Sequence, residues 1–553
     1  MNLSFPRLPA LLSLALAAGG PAGAAPGIVD LPLSSRAGVR IQAVTALSGG
    51  SGSPIVCLTP WTLQPVRGEA VTPPTVRRAL ALLATEALSG ERRIVERDVT
   101  VRFVTDRGSP DRLEAIDENA NGRPDAVDAV LAGVARAQRL LGVGLELPGA
   151  GSIEIVLARL GSGVEGVALP SRDGRVTIWL DPSGRSVATL RRAAAHQAVH
   201  AIAAGLGLGG AWSEAFSTWA AGATEGGPDE RATVVLGQRL ARLAEGLDRD
   251  DLTLAPGNAA WFAFLDEAYG RTAVKLAVEE LAHGGSTRAA LDRALRRGGG
   301  GSFEEAFRDF QLWSVLTGSR DDGRHFSFAG RLPAPTFAGV ADMLPALSIQ
   351  ADPEVAPLGA ASVLLSPAER AGGLALRFEG DRTTRWAVDV LLVRSSGAMH
   401  RLPLTLDEDD AGELTVPLQD LREALLLVRN LDEDGKAPRK YTWSAYVEPG
   451  YPAEIAHLSA EPAGTRGGMI VSWETLGERG VLGFNVLRSR AGDPSETPVN
   501  PVWIPAIGDT GSAAAYSFLD AGARPGVAYQ YRIEAVTPEG LVSRSDAVPA
   551  SSR

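Results

Sequence analysis

Ala193-Ala194-Ala195-His196-Gln197-Ala198-Val199-His200-Ala201-Ile202 is the stretch on which the reading of this chain turns. It lies inside a helical run, and a helix places residues four apart on one face, one turn above the other. His196 and His200 therefore present two imidazoles side by side, able to reach a single zinc ion at about 2.0–2.1 Å. The spacing alone is weak, because six histidines in a chain also produce such a pair by chance. The competing interpretation is a helix carrying two histidines satisfied by ordinary partners.

The downstream residues favour a metal. Gly205 to Gly210 forms a Gly-rich turn in which the chain can reverse, and a second helix starts near Trp212 with Glu214 in its first turn. A carboxylate there completes a set of two histidines and one glutamate, with the fourth position left for water. Acids near a helix N-terminus are also favoured by the helix dipole, so Glu214 taken alone says little.

His196-x-x-x-His200 followed by Trp212-x-Glu214-Ala215 resembles the gluzincin metallopeptidases, and among them a group of secreted bacterial metalloproteases. There HExxH on one helix precedes a Trp-containing segment carrying the glutamate ligand on the next. The resemblance extends to Asp117–Asp128, to the hairpin before the histidine helix, to Trp261–Gly270 and to Phe303–Trp313, so it covers about residues 98 to 330. It implies zinc held by His196, His200 and Glu214, with the strand near Val176–Leu180 binding substrate backbone.

The departure from the family pattern is Gln197, which stands where the resemblance requires the general-base glutamate. That glutamate takes a proton from the attacking water and later gives one to the leaving amine. A carboxamide has no titrating proton in the working range and does neither. General acid–base help contributes about 10²–10⁴-fold, so hydrolysis falls to a residue of itself. Glutamine is nearly isosteric with glutamate, so metal ligation survives. Zinc kept and peptidase impaired is the expectation; Glu225 is a conceivable substitute base that the spacing does not support.

Composition sets the outer limits. A chain of 553 residues is too long for one core, and 45% hydrophobic with 22% charged residues is a globular composition. A net charge of -11 speaks against a nucleic-acid partner. Arg7, the apolar run Leu8–Ala18 and the small residues Ala22-Gly23-Ala24-Ala25 read as a signal peptide over 1–25, the alternative being a buried N-terminal helix. No later stretch is long and apolar enough to span a bilayer. The sole cysteine, Cys57, cannot form an internal disulfide, so stability outside the cell rests on packing and metals.

Residues 26–97, rich in Pro, Gly and Ser with one helix at Pro74–Leu88, read as a pro-segment or adapter. Residues 98–332 form the metallopeptidase-like domain. Val99-Val101-Phe103 and Ile153-Ile155-Leu157 alternate as strands, and Asp125–Leu141 has helical periodicity. Val167-Ala168-Leu169 and Val176–Leu180 pair across an Asp173-Gly174 turn. Helices run from Val187 to Leu316, broken at Gly205–Gly210, Pro256-Gly257-Asn258 and Gly298–Gly301. Short strands at sandwich spacing fill 333–449. The module over 450–553 resembles a fibronectin type III domain through Met469–Trp473, Gly483–Arg488 and Gly526–Val536. The fold class is α+β: a zincin-like domain of mixed sheet and active-site helices, followed by two all-β sandwich domains.

A second metal candidate lies in Asp117-Glu118-Asn119-Ala120-Asn121-Gly122-Arg123-Pro124-Asp125-Ala126-Val127-Asp128. Asp117, Asn119, Asn121, Asp125 and Asp128 occupy the first, third, fifth, ninth and twelfth places of an EF-hand loop, with Gly122 at the sixth for the sharp turn. Aspartate at the last place resembles dockerin-type loops and suits calcium; an Asx-rich turn capping the next helix is the alternative. His283, His325, His400 and His457 lack partners at ligand spacing.

The function expected is a secreted zinc-binding metallopeptidase homologue, catalytically impaired, that binds an extracellular peptide or cell-surface component. Its location is extracellular, with the periplasm or cell surface as variants of the same export. An active secreted zinc metalloendopeptidase with another base, and an adhesive or structural protein without metal, stand as alternatives.

Overall fold

The computed structural model describes Cys57 and residues 88–551 apart from 150, 161–163, 171–175, 249–253, 348–352, 434–436, 450, 465–466 and 509–513. The signal peptide, nearly all of the 26–87 segment with its expected helix, and the Asp173-Gly174 turn lie outside the described residues. The chain is α+β, with eight α-helices and several sheets among the described residues. It divides into two compact units. One comprises Cys57 with the described parts of 67–132 and 152–193; the other comprises the described parts of 133–151 and 194–553.

The first unit holds a five-stranded mixed sheet of β1 (Glu91–Glu96), β2 (Val99–Val104), β3 (Ile153–Leu157), β4 (Gly166–Pro170) and β5 (Val176–Leu180). The order is β1-β2-β3-β5-β4, with β2, β3 and β5 parallel and the outer two antiparallel to their neighbours. Val101, Ile155 and Ile178 stand in register across the three parallel strands on one face. On the other face Val104, Val156, Val167 and Trp179 join a buried cluster. A sheet covered on both sides needs apolar residues at nearly every position, which is why β3 reads IEIVL and β5 reads VTIWL. β1 precedes residue 98, so the sheet starts within the stretch set aside as adapter.

The sheet order corrects one expectation. Val176–Leu180 is not an edge: β5 pairs along its length with β3 on one side and β4 on the other. Its backbone donors and acceptors are already used, so it has none to offer a substrate. The outer strand is β4, and Cys57, which is buried, makes an isolated parallel bridge to Gly166 at its start.

Helix α1 (Asp125–Arg139) carries Asp125 and Asp128 in its first turn and Arg136 and Arg139 in its last, matching the helix dipole at both ends. Its buried positions Val127, Val130, Leu131, Val134 and Ala137 follow the expected stripe. Helix α2 (Val187–Leu206) carries the two histidines. In the second unit follow α3 (Gly210–Ala223), α4 (Glu230–Ala241), α5 (Ala259–Tyr269), α6 (Arg271–Ala282), α7 (Thr287–Arg297) and α8 (Phe303–Val315). The helical run is broken more often than the sequence suggested, with further stops at Gly226-Gly227-Pro228, at Gly270 and at Gly284-Gly285. The Gly298–Gly301 break delivers Ser302, whose side chain and that of Glu305 form a capping box that starts α8. Trp261, Phe264, Phe303, Phe307 and Phe310 pack as one aromatic core between α5 and α8.

Two β-sandwiches complete this unit. In the first, the strands Gly359–Leu365, Trp386–Arg394, Met399–Leu404 and Leu421–Asn430 form one sheet and Gly373–Gly380, Ala411–Pro417 and Arg439–Glu448 the other. Leu391, Val393, Leu425 and Leu427 point away from the sandwich core and pack against Val315 at the end of α8 and Leu316 just past it. Both faces of those strands are therefore covered, and they read as continuous apolar runs. The second sandwich is centred on Trp473, stacked on Tyr516 at 5.1 Å and edge-on to Phe484.

Candidate metal centre

The turn after α2 brings the site together. Gly207 takes a left-handed φ of 86°, its N–H bonds to Ala204 O at 3.0 Å, and the Leu208 N–H bonds to Ala203 O at 2.9 Å. This is a Schellman closure, which a residue with a Cβ forms only under strain. It stops α2 and lets α3 begin three residues later. Glu214 is the fifth residue of α3, beyond the first-turn N–H groups, so the helix dipole alone does not account for it.

The three donors converge. His200 Nε2 lies 3.1 Å from His196 Nε2 and 3.0 Å from Glu214 Oε2, and His196 Nε2 lies 3.5 Å from Glu214 Oε1. Two ligands held by one tetrahedral zinc at 2.0–2.1 Å are separated by about 3.3 Å, so these spacings match three corners of such a site. His200 is 0% and Glu214 4% exposed, whereas His196 is only partly buried. Burial pushes the Glu214 carboxyl up, but the adjacent His196 and His200 outweigh it and hold it well below the usual carboxylate range. The two ring nitrogens and the buried carboxylate face one another, an arrangement that could hold a metal ion. The donor set, two imidazoles and a carboxylate, is that of zinc or a similar divalent transition ion.

Gln197, 2% exposed, occupies the turn of α2 between the two histidines. Glu225, the conceivable substitute base, accepts from Arg136 Nη1 at 2.7 Å. It lies past the end of α3, and the helix end at Ala223 is roughly 13 Å from Glu214 at 1.5 Å per residue.

Trp212 is fixed by its surroundings. Its Nε1 donates to Thr287 Oγ1 at 3.3 Å, Thr287 in turn donates to Asp248, and the indole meets the Phe262 ring edge-on at 5.9 Å. This locks the first turn of α3, and with it the heading of Glu214. Sequence reading missed Ser213, whose Oγ sits 2.9 Å from His200 Nδ1. The need of a ligand histidine for a second partner was a usable signal. Only the folded chain shows which residue meets it. His325 pairs with Asp322 at 2.7 Å, His283 with the Glu279 carbonyl at 2.7 Å, and His457 with Glu474 at 2.8 Å.

The loop over 117–128 also gathers its five side chains, in a different way. Asp117 accepts from the N–H groups of Asn121 and Gly122 at 3.1 and 2.8 Å, and Asp125 accepts from the Glu118 N–H at 3.1 Å. Asp128 Oδ2 accepts from the Asn119 and Asn121 side-chain amides at 3.0 and 2.6 Å. Each carboxylate already has amide partners within the loop.

No protein-family model and no curated protein matches the chain. Among solved structures it is similar to a β-1,2-glucanase from Parabacteroides distasonis, with 15% identity over 35% of this chain and 30% of that one, at a TM-score of 0.13. A glycoside hydrolase domain of Endo-D from Streptococcus pneumoniae R6 aligns with 13% identity over 34% and 30% of the two chains, at a TM-score of 0.12. A β-galacturonidase from Eisenbergiella tayi aligns with 11% identity over 34% and 35%, also at a TM-score of 0.12. The chain thus spans about a third of the length of each, and at such TM-scores the likeness carries no argument about fold or activity.

Proposed function

We propose that this chain is an exported zinc-binding homologue of gluzincin peptidases that holds an extracellular peptide or surface component without cleaving it. One observation carries the reading: His196, His200 and Glu214, brought from two helices, present donors at 3.0–3.5 Å from one another. Zinc bound by these three would supply Lewis acidity there. Gln197 binds or orients what enters there through its amide and carbonyl, but moves no proton. Two neutral imidazoles and one carboxylate leave a divalent ion with one net positive charge, which favours an anionic group such as a peptide carboxylate.

Glu225 is held by Arg136, which counts against an active peptidase with that base. Calcium at Asp117, Asn119, Asn121, Asp125 and Asp128 belongs to the same proposal, with the two asparagine amides turned to present oxygen. So do export by residues 1–25 and a fibronectin type III-like role for 450–553 as a spacer or surface-binding module. The test is elemental analysis of the purified full chain together with a protease assay. One zinc per chain and no cleavage of a generic protein substrate supports the reading. A metal-free chain, or appreciable chelator-sensitive proteolysis, overturns it.

A further inference from the structure

His200 is gripped at both ring nitrogens by consecutive residues of one helix. Its Nε2 faces Glu214 Oε2 at 3.0 Å, and its Nδ1 meets Ser213 Oγ at 2.9 Å. His200 is 0% and Ser213 4% exposed, so water does not stand in for either contact. A neutral imidazole carries one proton; a nitrogen that ligates must be bare, so the proton belongs on the other.

We propose that Ser213 is a positioning residue that accepts the Nδ1–H of His200, fixing the ring so that bare Nε2 faces the metal. The proposal rests on the zinc reading above. The hydroxyl oxygen accepts this hydrogen bond without adding negative charge, so the single excess charge of the loaded centre is left intact, as a partner carboxylate would not leave it. Because Ser213 and Glu214 are adjacent on α3, any shift of that helix moves both contacts of His200 together. The locked first turn, Trp212 to Thr287 to Asp248, then serves the metal through Ser213 as well as through Glu214.

The experiment uses the full chain and four proteins: the parent, Ser213→Ala, and the isosteric pair Ser213→Thr and Ser213→Val. Zinc affinity is measured by competition with a chromophoric chelator, and cobalt(II) absorption reports the geometry of the ligand set. Loss of such a partner weakens metal binding by about 10–100-fold. Ser213→Ala and Ser213→Val should show that loss with an altered cobalt spectrum, and Ser213→Thr should keep the parental affinity and spectrum. If alanine prevents folding, the Thr/Val pair decides alone. Equal affinity in the threonine and valine proteins overturns the role of Ser213 and leaves the zinc reading standing. A lower melting temperature in chelator with unchanged affinity and spectrum also overturns it, since the hydroxyl is then merely structural. A parent chain that takes up no zinc overturns both.

Discussion

Two regions of this molecule gather potential metal ligands, and they solve the electrostatics differently. In the loop over 117–128 the carboxylates of Asp117, Asp125 and Asp128 are met by N–H groups of the loop itself. At His196, His200 and Glu214 the three donors face one another at 3.0–3.5 Å, with Ser213 on the far nitrogen of His200. The loop is exposed and water can share its charge, whereas His200 and Glu214 are shut away from water. Convergence of ligands does not by itself imply a metal. Convergence of buried donors makes the stronger candidate, because burial keeps water from sharing the charge.

The sharpest way to break this contrast is His200→Ala, which removes the donor shared by both other ligands. Elemental analysis should find zinc reduced from one per chain to background. Zinc at about a thousand times its dissociation constant stabilises a protein by about 4 kcal/mol. Chelation should therefore lower the melting temperature of the parent and leave that of His200→Ala unchanged. Calorimetry of both proteins with and without chelator reads this directly.

Gln197→Glu is next in size. With the ligands in place, a restored base should raise proteolysis by about 10²–10⁴-fold at unchanged zinc content. Adding Glu225→Gln to that variant should change nothing, because Glu225 belongs to Arg136 and not to the centre. No gain in a peptidase assay would mean that more than one side chain separates this cleft from a working one.

Smaller effects belong to the loop. Asp117→Ala leaves the Asn121 and Gly122 N–H groups to water and should cost about 1 kcal/mol, with zinc content untouched. Calcium should raise the melting temperature of the parent, and Asp128→Ala should abolish the response. If calcium has no effect on the parent, the loop is an Asx-rich cap for α1 and the contrast between the two regions becomes complete.

Much of the layout was legible because it follows from local chemistry. Alternation marked β2 and β3, a hairpin-turn signal marked β5, the stripe Val127, Val130, Val134 marked α1, and glycine clusters marked several helix ends. The extra breaks at 226–228, 270 and 284–285 were harder to see, because the apolar pattern resumes at once on either side. Strand Gly359–Leu365 escaped attention because a run of small and apolar residues, GAASVLL, suits a helix as well as a strand. Val176–Leu180 was seen as a strand, yet its interior place in the sheet could not be read, since sheet order depends on partners distant in sequence.

The amino-acid sequence alone determined the ligand chemistry: two imidazoles one helical turn apart, a carboxylate beyond a glycine turn, and an amide where a base would stand. Fixed helical geometry makes the first of these a local fact. What the tertiary structure decided is where α3 points after Gly207, and hence that Glu214 meets both imidazoles while Ser213 takes the far nitrogen of His200. The packing of Trp212, Phe262 and Thr287 sets that direction, and contacts among residues so far apart in the chain leave no periodic trace in the sequence.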